Sequence, residues 1–164
     1  MIALLQRVKQ ASVEVNNQCI AEIDHGLLVF VGFEKDDSSA MIERLVERVI
    51  NYRLFADVDD KMNLSVKDIN GGLLLVPQFT LAANTQKGLR PSFASAASPD
   101  IGYQLFNEFV DAANKQHPKV CTGQFGADMQ VKLINDGPCS LYTPYASDKR
   151  ARLSRRGRRR HQHT

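Results

Sequence analysis

The sequence predicts one α/β domain of about seven or eight strands and two main helices, on three observations. A chain of 164 residues shows no internal repeat and no linker, a length that suits one domain with a real core. Runs such as Leu27-Leu28-Val29-Phe30-Val31 and Leu73-Leu74-Leu75-Val76 are short, aliphatic and bounded by turn residues, the pattern of buried strands. Two longer segments instead carry apolar residues at helical spacing.

In chain order, residues 1–8 read as a strand, and Ala11-Ser12-Val13-Glu14-Val15 alternates as a second, half-buried one. Asn16-Asn17 turns the chain into Gln18–Ile23 as a hairpin, and Asp24-His25-Gly26 turns it again into the buried run 27–33. After the polar loop Glu34–Asp37, Ser38 or Ser39 can cap a helix. Met41, Ile42, Leu45, Val46, Val49 and Ile50 form the core stripe of that helix. Asp57-Val58-Asp59-Asp60-Lys61 has the acidic spacing of a calcium loop without its terminal Glu, and reads as a solvated turn. Ser98-Pro99 caps a second helix, with Ile101, Leu105, Phe106, Phe109, Val110 and Ala113 as its stripe. Met129–Ile134 alternates as a strand, Asn135-Asp136-Gly137-Pro138 is a tight turn, and Cys139–Thr143 reads as a last strand.

The bulk numbers exclude several function classes. With 43% hydrophobic and 24% charged residues the composition is that of an ordinary globular protein. No apolar run approaches the ~18–20 residues of a membrane span. The start, Met1-Ile2-Ala3-Leu4-Leu5-Gln6-Arg7, lacks the basic and long apolar regions of a signal peptide. Cys19, Cys121 and Cys139 are odd in number and include no CxxC pair, which argues against a disulfide framework and a zinc site and fits a reducing cytosol. The net charge of +3 is a poor guide to the folded body. Residues 148–164 hold eight Lys or Arg against one Asp, leaving residues 1–147 with 13 basic and 17 acidic side chains.

The chemistry concentrates after the run Leu73–Val76. If that strand continues through Pro77, Gln78 and Thr80 share one face, and the loop beyond supplies Lys87 and Arg90 beside Gly88 and Pro91. Two readings stay open: a strand emerging into solvent, or the floor of a pocket for a negatively charged ligand. Arg7, a cation near the end of a buried strand, is either a surface ion-pair partner or the brace of a site. No histidine sits in a nucleophile motif, Cys139 fits a small buried hydrophobe, and there is no Gly-rich phosphate loop. His161 and His163 lie in the tail and alone make a weak metal site. An enzyme built from these residues works without metal, cofactor or triad. It is left with Gln78, Thr80, backbone N–H groups and pocket shape, which suit an activated ester better than an amide.

The segments Ala3-Leu4-Leu5-Gln6-Arg7-Val8, Lys61-Met62-Asn63-Leu64, Gln78-Phe79-Thr80-Leu81, Gly88-Leu89-Arg90-Pro91-Ser92-Phe93, Ala127-Asp128-Met129 and Asn135-Asp136-Gly137-Pro138 together resemble the bacterial D-aminoacyl-tRNA deacylases, collinearly from Met1 to Pro138. The resemblance implies a single domain with mixed, barrel-like β-sheets over residues 1–147. It also implies a cytoplasmic homodimeric hydrolase with no cofactor or metal and no membrane association. Its substrate would be the ester between a D-amino acid and the 3′-terminal adenosine of tRNA, with glycine mischarged on tRNA-Ala also cleaved. Gly137-Pro138 would form a cis peptide that reaches into the neighbouring subunit's pocket and excludes L side chains by clash. Arg7 would brace that turn, and Phe125 and Met129 would line the pocket. Thr80 matches the position proposed as nucleophile in the family, but no base lies beside it in sequence. The alternative is assistance by the ribose 2′-OH, with the N–H groups around Phe79 and Thr80 holding the oxyanion and Gln78 orienting the ester.

The chain departs from the family at two places. Pro77 stands where relatives carry Ser, removing a hydroxyl and an N–H. After Pro138 the usual Val-Thr is Cys139-Ser140-Leu141-Tyr142, and codons TGT-AGC-CTT-TAT read one base later give Val-Ala-Phe, close to the family ending. Residues from Cys139 onward are thus either a frameshift product or a genuine ending with a basic arm that grips tRNA phosphates. On the second origin, a catalytically impaired tRNA-binding homologue is the rival function. The tail 148–164 is expected to be disordered alone.

Overall fold

In a computed structural model of the chain, residues 1–145 are described. The basic tail, with His161 and His163, lies outside them. The elements are strands β1 (Ile2–Val15), β2 (Gln18–Ile23) and β3 (Gly26–Gly32), helix α1 (Ser39–Asn51), and strands β4 (Phe55–Ala56), β5 (Met62–Leu64) and β6 (Gly72–Pro77). They continue through a 3-10 turn (Phe79–Ala82), helix α2 (Pro99–Gln116), β7 (Val120–Thr122) and β8 (Gln130–Pro144).

The two stretches expected as separate strands at the start are one strand. Residues 9 and 10 are exposed but stay in the ladder, because β1 changes partner there rather than ending. Residues 2–8 pair antiparallel with β3, residues 11–15 pair with β2, and β8 follows β1 along its other side. Asn16 and Asn17 make the hairpin with φ of 51° and 63°, left-handed values that Asn tolerates. β3, β6 and β7 run parallel, so the sheet is mixed.

Alternation on the central strands gives the sheet two cores. Leu27, Val29, Val31, Leu73 and Leu75 face α1 and α2, whose buried stripes include Ile42, Leu45, Val49, Phe106 and Phe109. Leu28, Leu74 and Val76 face the other way and meet Val8, Ala11, Val13, Ala21 and Ile23. The sheet therefore curls on itself, which brings β2 against β6 and β7 and produces the barrel-like shape. At the first β3–β6 pair the backbones approach so closely that a Cβ on Gly26 would sit 2.0 Å from the Gly72 carbonyl oxygen.

Local devices hold the ends. The α-amino group of Met1 is buried, 2.8 Å from Glu34 Oε1 and 2.8 Å from Asp37 Oδ2. Ser98 caps α2, accepting from the Ile101 N–H. Ile101 itself, expected in the stripe, is exposed, while Pro99 and Gly102 of the same first turn face the cavity described below. Residues 57–61 form the expected turn. The Asp57 carboxylate accepts from the Asn63 amide and from the Lys61 and Asp59 N–H groups, which hold it below the ordinary carboxylate range.

The strand through Leu73–Val76 ends at Pro77. The Gln78 N–H still reaches the Val31 carbonyl at 2.8 Å, but the chain then coils into the 3-10 turn, so Gln78 and Thr80 do not alternate on a strand face. Pro77 lacks a donor on the side of β6 that faces β7, where the Gly123 N–H donates to the Leu75 carbonyl at 2.8 Å, so it stands where the next bond of that ladder would form. The β6–β7 ladder therefore stops at the proline. Pro77→Ser should therefore raise unfolding free energy in a urea melt by no more than about 1.5 kcal/mol, the net worth of one regained hydrogen bond; a larger gain would make the proline a defect of the fold.

Candidate active site

A cavity of about 720 Å³ opens at the carboxyl ends of the parallel strands β3, β6 and β7, the edge where α/β sheets commonly bind ligands. Val31, Phe33, Val76 and Pro77 supply apolar floor, and Gln78 and Phe79 form one rim. The segment 96–99 leading into α2 and the loop from Phe125 to Met129 complete the wall. Asp128 is the one titratable residue among those lining it.

Three features fix the rim chemically. The Gln78 amide donates to the Thr80 hydroxyl, so the two polar side chains named from the sequence are bonded to each other. The side chain bonded to that hydroxyl is an amide, which takes no proton from it. Among the described residues, the N–H groups of Phe79 and Thr80 have no acceptor, since the bonds opening the 3-10 turn begin with Leu81 N–H to Gln78 carbonyl at 3.3 Å. Two adjacent free donors thus stand at the exposed rim of an apolar cavity, Phe79 lining it and Thr80 next along the chain, placed to receive an oxyanion.

Met129 and Phe125 do line the cavity. The Met129 sulfur accepts from the Gln124 N–H at 3.4 Å, and Phe125 packs edge-on to Tyr103, with ring centroids 5.5 Å apart. Phe93, Ala97 and Gly102 were not singled out from the sequence. The signal for Phe93 lies in its place at the end of the Gly88–Phe93 segment, whereas small residues such as Ala97, just before α2, and Gly102, on it, carry none.

Arg7, Gly137 and Pro138 stand elsewhere. Arg7 pairs with Leu27, at the start of β3, whereas the cavity lies at the other end of that strand. The expected turn between two strands is a bulge within one strand. Val8 pairs with Asn135 and Gln6 with Ser140, so two steps on β1 face five on β8 and residues 136–139 loop out. The Gly137–Pro138 peptide is cis, and both residues are exposed. Arg7 braces the loop by donating from Nε to the Asp136 carbonyl (3.0 Å) and from Nη1 to the Leu54 carbonyl (2.7 Å).

Asn135 closes the neck of this loop. Its amide donates to the Cys139 carbonyl at 2.8 Å while its Oδ1 accepts from the Cys139 N–H at 2.9 Å, replacing the ladder pair that the bulge removes. Asn135→Ala should cost about 1–3 kcal/mol for these bonds and the unpaired groups left behind, lowering the melting temperature by roughly 2–12 °C. An unchanged melt would leave Arg7 as the sole support.

Beyond the loop, the altered ending keeps the strand. Cys139, Leu141 and Tyr145 pack on the helix-facing core and Thr143 is buried, while Ser140 and Tyr142 face out. Among the described residues, no helix is long and apolar enough to cross a membrane, and no three His, Cys, Asp or Glu side chains gather where a metal ion could sit.

The family model for D-Tyr-tRNA(Tyr) deacylase matches residues 4–143. A D-aminoacyl-tRNA deacylase of Legionella pneumophila (strain Lens) is 56% identical over 141 residues, covering 86% of this chain and 97% of that protein. One of Teredinibacter turnerae is likewise 56% identical over the same shares. The solved structure titled c-Myc DNA Unwinding Element Binding Protein superposes with a TM-score of 0.86 at 33% identity, covering 90% of this chain and 100% of that one. A probable eukaryotic D-amino acid tRNA deacylase shares the fold at 17% identity, with a TM-score of 0.78 over 87% of this chain and 97% of that one.

Proposed function

The chain belongs to the D-Tyr-tRNA(Tyr) deacylase family and is a D-aminoacyl-tRNA deacylase, an ester hydrolase acting on aminoacyl-tRNA; we propose that it works through backbone donors rather than a side-chain nucleophile. The observation carrying this reading is the pair of unpartnered N–H groups at Phe79, which lines the cavity, and Thr80, which follows it and whose hydroxyl is engaged by Gln78.

In this mechanism the 3′-terminal adenosine brings its D-aminoacyl ester to the rim, and the Gln78 carboxamide orients the carbonyl. Water adds to the carbonyl carbon, and the two N–H groups receive the resulting oxyanion. The C–O3′ bond then breaks as the ribose 2′-OH relays the water's proton to O3′, releasing free D-amino acid and tRNA. An activated ester needs no stronger nucleophile, and the charge that develops is met by donors fixed in place.

The chiral filter is the Gly137–Pro138 loop of a second copy. Its exposure, and its position at the far end of β3 from the same chain's cavity, suit a homodimer in which each loop enters the partner's cavity. Carbonyl oxygens there would clash with an L side chain and admit a D substituent or the hydrogen of glycine, including glycine mischarged on tRNA-Ala. The setting is the cytoplasm, where charged tRNA is used.

The test is deacylation of matched D-tyrosyl-tRNA and L-tyrosyl-tRNA by the full chain. Loss of the D ester alone is the expected result. Loss of both would remove the filter and keep the oxyanion site. Survival of both, with salt-dependent tRNA binding, would turn the assignment to the impaired tRNA-binding homologue.

A further inference from the structure

We infer that the loop 84–93 is a binding site for the single-stranded nucleotides preceding the terminal adenosine, holding their phosphates with Lys87 and Arg90 and stacking a base on Phe79 and Phe93. The inference rests on the deacylase reading, which places an RNA end in the cavity, and it assigns a role to cations that the catalytic proposal leaves unused.

The loop is a built projection rather than loose chain. Asn84 and Ser92 exchange two backbone hydrogen bonds, of 2.7 and 2.9 Å, closing its base, and the Asn84 side chain accepts from the Gln86 N–H at 2.9 Å. Between them every residue is exposed, and Gly88 turns the tip with φ of +65°. Lys87 and Arg90 flank that tip and have no ion-pair or hydrogen-bond partner among the described residues, although residues 1–147 hold more acidic than basic side chains. Leu89 between them is fully exposed, an apolar side chain left in water at a protruding turn.

The chain leaves the cavity rim at Phe79 and returns to it at Phe93, so the projection stands directly beside the opening. There the two rings meet at a tilt, centroids 5.2 Å apart, and remain 62% and 40% exposed. Exposed aromatic faces next to unpaired cations form the combination that grips single strands, because every base offers a π-face and every linkage a phosphate. A duplex would hide its base faces from such a platform. A terminal adenosine whose ester sits at Gln78 must lead its 5′ neighbours out past this same rim.

The test compares Lys87→Ser/Arg90→Ser with wild type on D-tyrosyl-tRNA and on 3′-O-D-tyrosyl-adenosine, which lacks the preceding nucleotides. The variant should raise KM several-fold on the tRNA ester and leave the adenosine ester unchanged. Its plot of log affinity against log salt should be shallower by about 1.4, the slope of two single-strand phosphates. As a second arm, fluorescence anisotropy measures binding of an uncharged RNA ending in ACCA and of its analogue abasic at the two cytidine positions. Wild type should prefer the intact RNA, and Phe93→Ala should lose at least about fivefold of that preference. Equal losses on both esters, an unchanged salt slope, or no preference for intact bases would overturn the inference. So would sedimentation showing that the serine variant dissociates a wild-type dimer, since the tip would then be a contact between copies. Wild type that cleaves neither ester would instead defeat the deacylase reading, while the anisotropy arm would still judge the loop.

Discussion

Alanine in place of Gly137 is expected to cost at least about a hundredfold in D-ester deacylation while the protein stays folded. Gly137 has φ of +138°, a region open essentially to glycine alone, and holding another residue there costs about 1–3 kcal/mol. A Cβ would also stand 2.8 Å from Arg7 Nη2 and 3.1 Å from the Cys139 nitrogen. The Cys139 backbone is tied to Asn135 and cannot retreat, so Arg7 must, and with it go its bonds to the Asp136 and Leu54 carbonyls. In the proposed dimer this loop must enter a partner's cavity with accuracy, and a displacement of ~1 Å can cost 10²-fold. Strain of that size lowers the melting temperature by roughly 2–12 °C in a domain this large. Deacylation retained within threefold despite the lower melt would make the loop structural and remove it from the chiral filter.

The second large effect is at Phe79. Proline there deletes one of the two free N–H groups, and its fixed φ suits the first residue of a 3-10 turn, so the backbone should persist. Loss of an oxyanion donor predicts a kcat lower by 10²–10³-fold. Phe79→Leu keeps the N–H and controls for the ring, and its kcat should stay near wild type. Thr80→Ala keeps both N–H groups and should remain within tenfold. If Thr80→Ala falls as far as Phe79→Pro, the hydroxyl is the nucleophile and the backbone mechanism is wrong.

Both effects concern backbone, and this explains which parts were legible in the sequence. The helices follow from side-chain periodicity, and the stripes Met41–Ile50 and Ile101–Ala113 are buried as read, apart from the exposed Ile101 and the half-buried Val110. β3 and the body of β6 follow from aliphatic runs between turns. The three-residue strand β7 carries too little pattern to be seen alone and exists because Leu73–Leu75 offer it an edge. β1 reads as two strands because exposed residues at its middle mimic a turn, when they mark a change of partner. At the site, Gln78, Phe79, Phe125 and Met129 do gather at one cavity, but free N–H groups leave no trace in residue identity. Asn135 read as a turn former, and its work in closing a bulge depends on a register with β1 more than 120 residues away.

That register also sets when the chain can fold. Among the described strands β1 is made first, and along one whole side it waits for β8, made after all the others. Ribosomes add about 5–20 residues each second, so residues 2–14 spend on the order of 6–25 s with that side unpaired before residues 130–144 emerge. Closing so long a loop gives slow, high-contact-order folding. An open strand edge is in the meantime a template for other chains. The nascent protein should therefore lean on chaperones until β8 is made, and a change in that strand should be felt as poor yield before it is felt as poor catalysis.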